Sequence, residues 1–118
     1  MFDFIKNPIS EINTWVIGNW KMNGRLFQNE KYLEQLLPKI KNPVQNKSLF
    51  YGLAVPNPYL FQFSNRLIDS DLHLGVQDIS SEDMDGAFTG DTSAKMCNEF
   101  DCSFAIIGHS ERRAKYNE

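Results

Sequence analysis

Apolar residues along this chain gather into short continuous runs, and between the runs they recur every third or fourth position. Trp15-Val16-Ile17-Gly18 is dense in β-formers and reads as a buried strand. Leu49-Phe50-Tyr51-Gly52-Leu53-Ala54-Val55 is a second, stopped by Pro56; Leu72-His73-Leu74-Gly75-Val76 is a third, and Phe104-Ala105-Ile106-Ile107 a fourth. Leu26, Leu33, Leu37 and Ile40 form a helical stripe, with Glu30, Lys31, Glu34 and Lys39 off it. Pro38 disfavours helical geometry at Leu37, so that helix is expected to end there. Asn57-Pro58 reads as an N-cap followed by proline at the first helical position, with Leu60, Phe63, Leu67 and Ile68 as the apolar face. After the third strand come a long polar loop and a short helix around Ser93–Phe100.

The resulting order is βαβαβαβ. Continuous apolar strands alternating with helices predict an α/β fold, a parallel sheet covered by helices. Residues 1–118 show no repeat or linker and read as one domain, with residues 1–13 as an N-terminal lead. Only eleven residues follow Ile107, too few for a crossover and another strand, so the chain is expected to stop in mid-pattern.

Composition narrows the classes without choosing among them. Twelve basic against fifteen acidic residues give −3, with no basic block, which argues against nucleic acid as a partner. No apolar run approaches the roughly 18 residues of a membrane span. The segment Met1–Pro8 has an early acid and no apolar core, unlike a secretory signal. Cys97 and Cys102 have no companion ligands, so two reduced thiols are expected rather than a metal site. A soluble, cytoplasmic chain without cofactor is the expectation.

Parallel α/β folds collect functional groups at the C-terminal ends of their strands. The first strand runs into Gly18-Asn19-Trp20-Lys21-Met22-Asn23-Gly24, where Lys21 can offer an ammonium and Asn19 an amide to an anionic ligand, or where Lys21 simply meets water. The fourth runs into Gly108-His109-Ser110-Glu111-Arg112-Arg113. There Ser110 is expected to cap a helix and set His109 at its positive end, a field that favours a neutral, N–H-donating ring. A histidine bonded to nearby backbone is the plainer alternative. Glu111 either holds Lys21 or supplies ordinary helix-terminus charge.

The loop from Asp78 to Thr92 is acidic and lacks lysine and arginine. Ser81, Asp83, Asp85 and Gly86 fit the first half of a calcium loop, but the twelfth position is Thr92 where a bidentate glutamate is needed, so calcium is rejected. Gly86-Ala87-Phe88-Thr89-Gly90 reads either as an aromatic tucked into its own domain or as an insertion into another surface.

Together, the segments Gly18–Gly24, Gly86–Gly90 and Ile107–Arg113 resemble, in order and spacing, three signature segments of triosephosphate isomerase, a likeness that covers Thr14 to Glu118. The resemblance implies the first four β/α units of a (β/α)8 TIM barrel, here a half-barrel. It implies an enzyme of glycolysis and gluconeogenesis that interconverts dihydroxyacetone phosphate and glyceraldehyde 3-phosphate through an enediolate, with no cofactor. Asn19 and Lys21 match the substrate-binding asparagine and lysine, His109 the histidine that polarises the carbonyl, and Ser110 and Glu111 its supporting residues. Phe88 and Thr89 match the loop that enters the neighbouring subunit of a homodimer. This family is itself the familiar example of a neutral histidine at a helix N-terminus.

Three departures stand out. The family barrel has about 250 residues and eight strands, and neither the glutamate base nor most of the phosphate site has a counterpart here. Asp91 replaces a glutamate, and Gln77-Asp78 stands where the family has glutamine-asparagine. A catalytically silent half-barrel, acting as a binding or assembly module, is the competing reading, and the isolated chain is expected to be inactive.

Overall fold

The computed structural model describes residues 11–40 and 47–118, and within them four strands pair side by side, all parallel, in chain order. They are β1 (Thr14–Asn19), β2 (Leu49–Val55), β3 (Leu72–Val76) and β4 (Cys102–Ala105). Helices α1 (Leu26–Leu36), α2 (Leu60–Arg66) and α3 (Ala94–Asn98) connect them, and α4 (Ser110–Tyr116) follows β4. The expected βα alternation is therefore the observed one. It matches the first β/α units of a TIM barrel.

Register decides which residues share a face. Trp15 pairs with Phe50, Gly52 with His73, and Gly75 with Phe104, so all six lie on one side of the sheet. Their rings form a layer there: Trp15 to Phe50 at 4.7 Å, Phe50 stacked on His73 at 4.3 Å, and Phe104 edge-on to Phe50 at 5.8 Å. Glycine is required twice in this layer. A Cβ at Gly52 or Gly75 would stand 2.7 or 2.3 Å from the Phe104 ring, which fills the space both leave.

The opposite face is the hydrophobic core. Leu53, Val55, Leu72, Leu74 and Val76 of the central strands pack with Leu33 of α1 and with Leu60, Phe63 and Leu67 from the second helical segment. Phe63 and Leu33 are fully buried. Cys97 and Cys102 are free thiols on the edge of this core; burial, reinforced by the charges of Cys97 and Asp101, pushes the Cys102 thiol up to about 12. Between α1 and α2 runs a polar seam, in which buried Asn29 donates to Gln62 at 2.9 Å and accepts from the Arg25 amide at 3.2 Å.

Several local expectations need correction. Strand β4 begins at Cys102, two residues before the expected start, and ends at Ala105. A bulge between its pairing with Leu74 and with Gly75 absorbs Ser103, and the chain then leaves the sheet, exposing Ile107. Asn57 caps nothing with its side chain: it opens a 3-10 turn, Asn57–Tyr59, and its amide instead donates to Thr92 Oγ1 at 3.1 Å. Ile68 is exposed, because the helix has already ended at Arg66. Of the N-terminal lead, residues 1–10 lie outside the described residues; Ile12 is buried, and the amides of Asn13 and Thr14 both donate to the Ser48 carbonyl at 3.0 Å.

No helix among the described residues is long and apolar enough to cross a membrane.

Candidate functional site

The segment leaving β1 is anchored before it turns. Trp20 continues the ladder by donating its amide to the Ala54 carbonyl at 3.0 Å, and its ring packs edge-on against Phe63 at 5.0 Å. The next residue, Lys21, has φ +54°, the left-handed region that a residue with a Cβ adopts at a cost of roughly 1–2 kcal/mol. Asn19, the last residue of β1, supports this turn: its Oδ1 accepts the Lys21 amide at 2.9 Å. The Asn23 side chain closes the loop on the Trp20 carbonyl at 2.9 Å.

The segment leaving β4 turns at Gly108, φ +60°, whose carbonyl accepts from Arg113 Nε at 2.7 Å. Helix α4 then starts, and the cap is His109 itself rather than the expected Ser110. His109 Nδ1 accepts the Glu111 amide at 3.1 Å, and Ser110 is the first helical residue, exposed to solvent. An imidazole nitrogen here occupies the place a hydroxyl would take, so a histidine substitutes for the usual capping residue. Since Nδ1 is an acceptor in this bond, the ring proton resides on Nε2, which is left as a donor.

The two segments meet across the C-terminal ends of β2 and β3. Lys21 Nζ lies 2.6 Å from Glu111 Oε1, an ion pair between residues 90 apart in sequence and on opposite edges of the sheet. The hydrogen bond from Lys21 holds the Glu111 carboxyl below the usual carboxylate range, with further help from the lysine charge. Both side chains are about half exposed, 53% and 47%, so solvent screens the attraction and the pair's importance is geometric. Of the alternatives for Glu111, the structure shows the contact with Lys21. The Glu111 carboxylate is also 3.7 Å from His109 Nδ1. One glutamate thus touches the lysine through its side chain and the histidine through its backbone.

Sequence reasoning missed Gln77 as a member of this cluster. It follows β3 and donates its amide to the Lys21 carbonyl at 2.9 Å, to Asn19 Oδ1 at 3.2 Å and to the Ala54 carbonyl at 3.3 Å. A lone glutamine carries no pattern; its place two residues after Gly75, on the face Asn19 shares, was the available signal. Beside it Asp78 pairs with Arg112 at 3.0 Å, so the negative charge at this position is answered within the chain. Arg112 also forms a two-pronged bond to Glu118, at 2.7 and 2.5 Å, which lowers the Glu118 carboxyl and raises the guanidinium.

Phe88 and Thr89 lie apart from this cluster, on the loop between β3 and α3. Their loop is tied to itself: Ser80 Oγ donates to Asp91 at 2.9 Å, and the Asp91 amide to the Phe88 carbonyl at 3.0 Å. Phe88 folds over Gly86 yet remains 41% exposed, and it joins Met84 and Met96 in lining a cleft of about 230 Å³ that Glu82, Asp85 and Asp91 make acidic. Among the described residues, no group of three or more histidine, cysteine, aspartate or glutamate side chains is placed to hold a metal ion.

The family model described as triosephosphate isomerase matches residues 14–118. The chain is 46% identical over 103 residues to a triosephosphate isomerase of Herminiimonas arsenicoxydans, covering 87% of this chain and 40% of that protein. It is 44% identical over 103 residues to one of Ralstonia nicotianae, at 87% and 39%. A third, from Hahella chejuensis, is 43% identical over the same length, at 87% and 40%. The chain therefore spans about two fifths of the length of the curated relatives it matches. Parallel β/α units, a lysine and a histidine brought together at their C-terminal ends, and a profile match over nearly every described residue agree: this chain belongs to the triosephosphate isomerase family.

Proposed function

We propose that this chain supplies the electrophilic side of a triose-phosphate isomerase site. The observation that carries the reading is the meeting of Lys21 and His109 on Glu111. Isomerisation of dihydroxyacetone phosphate to glyceraldehyde 3-phosphate requires a proton to leave the carbon beside the carbonyl, which puts negative charge on the carbonyl oxygen. In this reading His109 Nε2–H donates to that oxygen, and the Lys21 ammonium neutralises the growing charge and the phosphate. Asn19 and Glu111 fix the lysine, while Ser110 begins the helix that carries the histidine. Preorganised charge and donors of this kind commonly contribute a few kcal/mol to a barrier.

The base that takes the carbon-bound proton has no counterpart in these 118 residues, and a base of this kind contributes about 10²–10⁴ in rate. The chain by itself is accordingly proposed to be inactive, and activity to need the remaining barrel units that the relatives carry. A silent half-barrel has no specific observation in its favour beyond this. The assembled enzyme is further proposed to be a cytoplasmic homodimer in glycolysis and gluconeogenesis, with Phe88 and Thr89 at the subunit contact; a monomer by sedimentation velocity would sink that part.

The direct test is a coupled turnover assay on the chain alone and on the chain joined to the C-terminal half of a relative. Activity is expected only in the joined protein, and Lys21→Ala should lower kcat/KM there by about 10²–10³. A joined Lys21→Ala protein that keeps most of its activity would refute the assignment.

A further inference from the structure

Gln77 stands immediately after β3, on the sheet face that carries Gly75 and, at the far edge, Asn19. Its one side-chain amide serves three oxygens: the Lys21 carbonyl at 2.9 Å, Asn19 Oδ1 at 3.2 Å and the Ala54 carbonyl at 3.3 Å. The same Asn19 oxygen accepts the Lys21 amide at 2.9 Å. Lys21 is thus gripped on both sides of its Cα, by Asn19 at its N–H and by Gln77 at its C=O. This is the residue whose φ of +54° needs such a grip, since a left-handed residue with a side chain persists only where its surroundings over-determine it.

We propose that Gln77 is a positioning residue, holding Lys21 in its left-handed turn and so aiming the ammonium at Glu111. The inference deepens the isomerase reading and rests on it for its functional meaning. Gln77 acts through Lys21 and needs no contact with substrate. Residue type matters: all three partners are acceptors, so glutamine fits and a glutamate, which has only acceptors when ionised, does not. Without the two N–H groups, Lys21 is free to relax to a common backbone region, and its side chain swings away from Glu111.

The decisive experiment is nuclear magnetic resonance on the labelled chain, comparing wild type with Gln77→Met, which keeps length and bulk but donates nothing. In wild type, Lys21 should show the short amide-to-α-proton contact of a left-handed residue, and Glu111 should titrate below an ordinary glutamate. In Gln77→Met the contact should weaken and the Glu111 titration should move back up, toward that of a Lys21→Met control. Unchanged Lys21 geometry and Glu111 titration in a folded Gln77→Met protein would overturn the proposal. Should that variant fail to fold, wild type alone decides: the Gln77 side-chain protons should exchange at least tenfold more slowly than those of exposed Gln28, and equal rates would overturn it. In the protein joined to a C-terminal half, Gln77→Met should lower kcat at least tenfold with a smaller change in KM. If the joined wild type proves inactive, the isomerase reading fails while the resonance data still judge the role of Gln77.

Discussion

Trp15-Val16-Ile17 of β1 and Leu53-Ala54-Val55 of β2 are equally apolar, yet their exposures are 46, 54 and 43% against 4, 0 and 0%. The two strands are hydrogen-bonded to each other and share a register, so the difference does not come from local conformation. It comes from neighbours. β2 has a strand on either side and helices over one face, whereas β1 has β2 on one side and no strand on the other among the described residues. Apolar character states what a residue can gain by burial, and the number of packed neighbours states what it does gain.

That contrast can be measured as a graded series of urea unfolding experiments. The largest loss is expected at the centre: Phe63→Ala removes a fully buried ring beneath β2 and β3 and should cost about 3–5 kcal/mol, which for a chain of this size abolishes most of its stability. A cost below about 1 kcal/mol would mean that the core is elsewhere. A matched pair then isolates burial from chemistry. Val55→Thr places a hydroxyl in the fully buried position and should cost about 1–3 kcal/mol. The same exchange at exposed Val16 should fall within about 0.5 kcal/mol of neutral. Equal effects at the two valines would show that β1 is covered in solution, and would point to self-association along that edge.

Burial of this sort also marks how much was legible in the sequence. Element order followed from apolar runs and helical stripes, because a strand buried on both faces and an amphipathic helix leave different periods. The start of β4 was not legible: polar Ser103 separates Cys102 from the continuous apolar run that marked this strand, and a bulge is set by pairing. Helix α2 ends at Arg66, two residues before the end of its apolar stripe, which leaves Ile68 in solvent. At the site, Asn19, Lys21, His109 and Glu111 could be named because they lie at the C-terminal end of a strand or in the segment that leaves it. The capping role of His109 was assigned to Ser110, since serine is the commoner cap and a ring nitrogen does the same work only in the observed backbone geometry. Gln77 bonds to three groups distant in sequence, and that relation exists only once β1, β2 and β3 lie side by side.

The ion pair between Lys21 and Glu111 has a consequence for the order in which this molecule is assembled. Closing a flexible segment of 90 residues forfeits about 4 kcal/mol of chain entropy on the logarithmic relation for loop closure. A single solvent-screened pair is too weak to draw such distant points together. Three strand pairings and the helices between them must already have brought the two edges into reach, so the pair is a product of the completed sheet. The contact that defines the site is therefore among the last to form and the first to open, a latch that reports on every element between its two ends.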